Sequence, residues 1–183
     1  MKFTLVFLLL FVLTGWVKGQ DELVVLKNEP IEFEADGFYI KKVTDGRSDK
    51  ESIGFIQKGV FKKKKIQANF KDGLEKALFN YLDKSLIQDK NAVPVIVKVT
   101  HLHISESKDL PVKGKAEVKM EFYREKEGSI GRLYEAEAFV EKPAVNVSKT
   151  HEERIRSVIN TCLKSFNESD WKSITPVYFQ ERS

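Results

Sequence analysis

The fold turns on three stretches: VIVKVTHLHIS at residues 95–105, KAEVKMEFYR at 115–124 and RLYEAEAFVE at 132–141. The first is β-branched through its opening half, and its apolar residues fall on both faces. Val95, Val97 and Val99 oppose Ile96, Leu102 and Ile104, which predicts a strand in the middle of a sheet. The second stretch alternates Ala116, Val118, Met120 and Phe122 with Lys115, Glu117, Lys119 and Glu121. Such period-two alternation predicts one covered face and one wet face. The third repeats the pattern, with Tyr134, Ala136, Ala138 and Val140 inward and two glutamates outward. Between them, residues 125–131 carry the glycines and charges of a hairpin loop.

Working outward, Phe70, Leu74, Ala77, Leu78, Tyr81, Leu82 and Ser85 repeat at helical spacing, predicting a first helix over Ala68–Ile87. Upstream lie three expected strands, at Pro30–Ala35, Phe38–Val43 and Ile53–Phe61. The last would put Ile53, Phe55, Gln57, Gly59 and Phe61 on one face. Downstream, Thr150-His151-Glu152-Glu153 has the form of a capping box. It would open a helix with the stripe Ile155, Val158, Ile159, Cys162, Leu163 and Phe166, with Trp171 closing it. Residues 173–183 are expected to add an edge segment or to extend freely. The order predicts an α+β two-layer sandwich, a mixed β-sheet with two amphipathic helices packed on one face.

Residues 1–19 read as a cleavable secretory signal. Met1-Lys2 is the positive start, Phe3–Leu13 is apolar but for Thr4, and Val17 and Gly19 precede a cleavage site before Gln20. The apolar run is short of the about 20 residues that a transmembrane helix needs. The only cysteine is Cys162, far from the place where a lipoprotein takes its lipid. A single exported domain of residues 20–183 is therefore expected, periplasmic or extracellular, with no transmembrane segment after cleavage. Losing Lys2 and Lys18 lowers the formal charge from +4 to about +2, too small an excess to indicate nucleic-acid binding. One cysteine allows no internal disulfide, so the core alone must hold the domain.

Few residue patterns carry chemistry. Gly-x-Ser-x-Gly, Walker and Rossmann patterns are absent, and nothing in the sequence calls for a cofactor. His101 and His103, two apart on one strand, point to the same face. They are the weak candidates for a metal site, in a small metal-assisted hydrolase with one carboxylate. Cys162 sits in the buried stripe of its helix, where a thiol behaves as a small hydrophobe. The run Lys62-Lys63-Lys64-Lys65, with Lys58 and Lys71 nearby, suits an anionic surface of lipid or polysaccharide. The same run also reads as a solvated strand end that discourages edge pairing. Asp45-Gly46-Arg47 reads first as a charged clamp within a turn and second as a partner contact. Asn146-Val147-Ser148 and Asn167-Glu168-Ser169 are glycosylation sequons, meaningful only in a eukaryotic secretory pathway.

Val43-Thr44-Asp45-Gly46-Arg47, followed by Ile53-Gly54-Phe55-Ile56, resembles the Val-x-Asp-x-Arg…Ile-Gly strand and turn of small bacterial envelope proteins. Among these are lipoproteins of the YajG type and secreted proteins of Bacteroidota. A long amphipathic helix, a Pro-Val-x-Val strand (Pro94–Val97), two hairpin strands and a closing helix follow in a similar order. The chain departs from the lipoproteins in lacking the lipid-bearing cysteine. The resemblance implies a non-enzymatic envelope role and carries over no catalytic residue. The expected function is that of an exported binding or accessory protein, with an envelope protein or an anionic surface as partner. A strand-edge assembly component is the remaining alternative.

Overall fold

The computed structural model describes residues 21–58, 64–107, 111–143 and 150–180. The expected signal, residues 1–19, lies outside them, as do Lys62, Lys63 and the sequon at Asn146. The chain folds as α+β, with two helices and two mixed sheets. In order, the elements are β1 (Glu22–Val24), β2 (Phe38–Asp45), β3 (Phe55–Lys58), β4 (Lys64–Phe70) and α1 (Leu74–Ser85). They continue as β5 (Val93–Glu106), β6 (Lys113–Lys126), β7 (Ser129–Pro143), α2 (His151–Asn167), a 3-10 turn (Trp171–Ser173) and β8 (Tyr178–Phe179).

The larger sheet runs β2-β5-β6-β7-β8, and the smaller β1-β4-β3. β5 is central as expected, parallel to β2 and antiparallel to β6. β6 and β7 are joined through Glu127 and Gly128, with φ of 50° and 75°. Two successive positive φ values match the right-handed twist of a tight hairpin. Along β6, Ala116, Val118, Met120 and Phe122 are buried, the covered face that the alternation predicts. The other face is laced with ion pairs: Lys119–Glu135 at 2.6 Å, Lys115–Glu141 at 3.1 Å, and Arg132 to Glu121 at 3.1 Å and Glu135 at 2.9 Å.

β5 departs from the reading of two apolar faces. Its register against β6 slips between Val99, opposite Met120, and His101, opposite Lys119. The bulge at Thr100 changes the phase of the alternation. Leu102 and Ile104 thereby join Val95, Val97 and Val99 on the buried face, and His101 and His103 turn to the ion-paired face. Only Ile96 stays behind, in a small cluster with Tyr123 and Ile130.

Other elements differ too. Pro30–Ala35 forms no strand beyond a single bridge between Glu34 and Ile87. It runs beside the end of α1, where Ile31 N donates to Ser85 O at 2.8 Å and Ala35 N to Ile87 O at 2.9 Å. The first helix begins at Leu74, not Ala68, because Ile66, Ala68 and Phe70 alternate as a strand and Gly73 (φ 77°) turns the chain. β1 and β4 are additions to the expected strands. The Thr150 side chain makes no capping hydrogen bond, so the capping box does not close. Glu152, in the first turn, accepts from Lys27 N at 2.8 Å and pairs with Arg156.

α1 buries Leu74, Leu78, Tyr81, Leu82 and Ser85, and α2 buries the whole stripe from Ile155 to Phe166 named above. α1 packs on β2, and α2 on β6 and β7. The helices meet where Tyr81 Oη donates to Asn160 Oδ1 at 2.7 Å. Trp171 packs edge-on to Phe38 and tilted against Phe166, whose ring stacks on Phe122. The tail supplies an edge strand, as β8 pairs with β7 at Ile130 and Gly131.

Candidate functional site

The two sheets join at Gly54. Its φ is +122°, a conformation essentially confined to glycine. Ile104 N donates to Ile53 O at 2.8 Å, and Ala68 N to Gly54 O at 2.9 Å, so one short segment ties β5 to β4. A Cβ on Gly54 would lie 2.0 Å from Ile104 O. The kink also explains the failure of simple alternation here. Ile53 and Ile56 are both 1% exposed, three residues apart, while Phe55 between them is 38% exposed.

Beside this joint, Asp45 and Arg47 form the clamp that the turn suggested. Arg47 Nε donates to Asp45 Oδ1 and Nη2 to Oδ2, both at 2.9 Å, while Nη1 donates to Ser52 O at 2.7 Å. Asp45 N donates to Glu75 Oε1 at 2.8 Å, and Gly46 N to Val99 O at 2.9 Å. One guanidinium thus fastens the end of β2 to the loop leading into β3, while the backbone N–H groups of Asp45 and Gly46 tie it to α1 and β5. Burial pushes the Asp45 carboxyl up, but the hydrogen bonds and charge of Arg47 outweigh it and hold it below the ordinary range. A two-pronged, charge-assisted pair of this kind fixes direction as well as energy.

Between clamp and joint lies a cavity of about 280 Å3. Its walls include Asp49, Glu51, Phe55, Gln67, Thr100 and His103. His101 stands at its rim, its ring 6.4 Å from that of His103 and its Nε2 3.0 Å from Glu117 Oε1. The two histidines therefore share a face, as expected. Among the described residues no three metal-ligating side chains gather closely enough to hold an ion.

Next to the cavity is the lysine-bearing β3–β4 pair. Lys64 sits opposite Lys58, and Lys65 opposite Gln57. Lys64 and Lys65 are exposed, and Lys65 Nζ stands 5.8 Å from the centre of the Phe55 ring. Lys58 is paired with Glu22 of β1. Cys162 lies elsewhere, fully buried, and its thiol is pushed up to about 12 by burial, with a smaller push from Glu137. A thiol so placed holds its proton at neutral pH and packs as a small hydrophobe.

The structure thus gathers Arg47, His101, His103 and the lysine strand around one junction. Phe55, Gln67, Thr100 and Glu51 belong to it as well, and the sequence reading passed over them. The strand pattern puts Phe55 on one face with Ile53, whereas the structure buries Ile53 and leaves Phe55 exposed. The Ile-Gly-Phe-Ile order was the available signal, since a glycine between apolar residues suggests a kink. Comparison with protein-family models, curated proteins and solved structures finds no match to this chain.

Proposed function

We propose that the chain is an exported, non-enzymatic accessory protein of the bacterial cell envelope, docking an anionic partner surface through its β3–β4 lysines. The observation that carries the reading is the cross-strand pair Lys58–Lys64 with Lys65 beside it. Like charges directly opposite each other destabilise a sheet. Lys62 and Lys63 extend the same charge in sequence. Glu22 offsets one of these cations, and Lys64 and Lys65 face solvent. Such a cluster gains when phosphate or carboxylate groups approach it. Asp45 and Arg47 serve this reading by holding the neighbouring loop. For export, the support is the charged start, apolar run and Val17–Gly19 pattern of residues 1–19. Among the described residues no helix is long and apolar enough to cross a membrane. We read the architecture as a two-layer sandwich, with α1 and α2 on the buried face of the larger sheet.

The test has two parts. Cells expressing the full chain should release from the cytoplasm a protein whose intact mass begins at Gln20. That protein should bind phosphatidylglycerol vesicles or an acidic polysaccharide in low salt, and alanine at Lys62 to Lys65 should abolish it. Retention of residues 1–19, or binding indifferent to the four alanines, overturns the corresponding part.

A second reading, strand-edge assembly, has its own support. β8 covers only Ile130 and Gly131, so among the described residues the edge of β7 from Arg132 to Pro143 has no partner strand. Light scattering of the exported protein decides it: a monomeric mass across the micromolar range removes self-assembly.

A further inference from the structure

We infer that the cavity at the junction of the two sheets holds one sugar ring of an acidic polysaccharide, while the β3–β4 lysines take the charges of the flanking units. The inference rests on the docking reading above and names its ligand. Asp49 and Glu51 offer acceptors, Gln67 offers both donors and an acceptor, Thr100 keeps an acceptor while its hydroxyl donates to Lys119 O, and His103 adds a ring nitrogen. A ligand rich in hydroxyl groups uses both kinds. Phe55 lines the same space and is 38% exposed, an aromatic ring within reach of the C–H side of a pyranose. At about 280 Å3 the cavity is just below the usual size of small-molecule sites, which suits one ring and not an acyl chain.

The charges are arranged asymmetrically. Asp49 and Glu51 sit on the loop wall, where they accept from hydroxyls. Lys65 stands over the Phe55 ring. Along β4, Lys65 falls two residues from Gln67 on the face that Phe55 and Gln67 share, an advance of about 7 Å, so a linked saccharide seated in the cavity runs on to Lys65. A lipid headgroup needs neither the aromatic plate nor the carboxylate wall.

The experiment titrates the exported protein with tetragalacturonate, with neutral maltotetraose and with phosphatidylglycerol vesicles. Tetragalacturonate should bind, more weakly as salt rises, and maltotetraose should bind less tightly. Phe55→Ala should cost about tenfold in tetragalacturonate affinity and leave any vesicle binding unchanged. Gln67→Ala provides a second variant that keeps the aromatic plate and should also weaken the saccharide. Replacing Lys64 and Lys65 with alanine should lower binding to either anion. If vesicles bind and tetragalacturonate does not, or if neither cavity variant changes its affinity, the saccharide inference fails and the docking reading stands. If neither anion binds, both fall. Equal affinity for maltotetraose would remove the role given to the lysines.

Discussion

Replacing Gly54 with alanine attacks the joint on which the cavity depends. At φ +122° an L-residue bears strain of about 1–3 kcal/mol. The new Cβ would overlap Ile104 O at 2.0 Å and Ile104 N at 2.8 Å, both backbone atoms that no side-chain rotation can relieve. Relief must come from moving β3 away from β5. That gives up the bond from Ile104 N to Ile53 O and loosens the one from Ala68 N to Gly54 O, each worth about 1 kcal/mol net. The expected loss is about 3–5 kcal/mol, a large share of the 5–15 kcal/mol by which domains are typically stable. Urea unfolding followed by circular dichroism reads it as a midpoint lower by about 2 M, for a slope of about 2 kcal/mol per molar. Gly128→Ala is the control. Its φ is +75° and nothing lies within 4 Å of the added Cβ, so only the backbone penalty of about 1–2 kcal/mol applies. If Gly54→Ala costs no more than Gly128→Ala, the joint is not a constrained contact and the reasoning fails.

Arg47→Ala leaves the Asp45 carboxylate, 12% exposed, without its counter-ion and should cost about 3 kcal/mol by the same urea assay; a loss under about 1 kcal/mol would mean the clamp is dispensable. The pH dependence of stability follows from the same pair. Because the folded Asp45 carboxyl lies below its ordinary value, the unfolded chain binds more protons and stability rises with pH. The contribution is complete above the ordinary carboxylate pKa of about 3.9 and is lost as pH falls through the lower folded value. Asp45→Asn should therefore flatten the acid limb of the midpoint-versus-pH curve, and an unchanged limb would contradict the pairing. Cys162, buried with its thiol near 12, should resist iodoacetamide at pH 8 in the folded protein and react fully in denaturing urea. Rapid alkylation of the folded form would refute its placement.

Much of the core was legible because its periods are strong. The alternation over 115–124 and the stripe of α2 both place the same residues inside that the structure buries, since a single covered face leaves little choice of register. The candidate site was less legible. Lys64, Lys65, Asp45, Arg47, His101 and His103 all stood out by type, but their grouping depends on a contact between Gly54 and Ile104, fifty residues apart. Local spacing carries no information about such a contact. The alternation groups Phe55 with Ile53 on one face, but the Gly54 conformation breaks it, so Ile53 is buried and Phe55 exposed. Ala68 and Phe70 were drawn into a helix because apolar residues there fit both periods for a few positions.

What the sequence determined by itself was the α+β class, the central place of residues 95–105, the covered face of β6 and the stripe of α2. Each follows from a repeating pattern that only one backbone geometry satisfies. The tertiary structure alone decided the bulge at Thr100, the second sheet with β1 and β4, and the junction that brings the lysines beside Phe55 and the histidines. These depend on which distant strand supplies a partner for each backbone hydrogen-bonding group, and that pairing exists only once the chain has closed on itself.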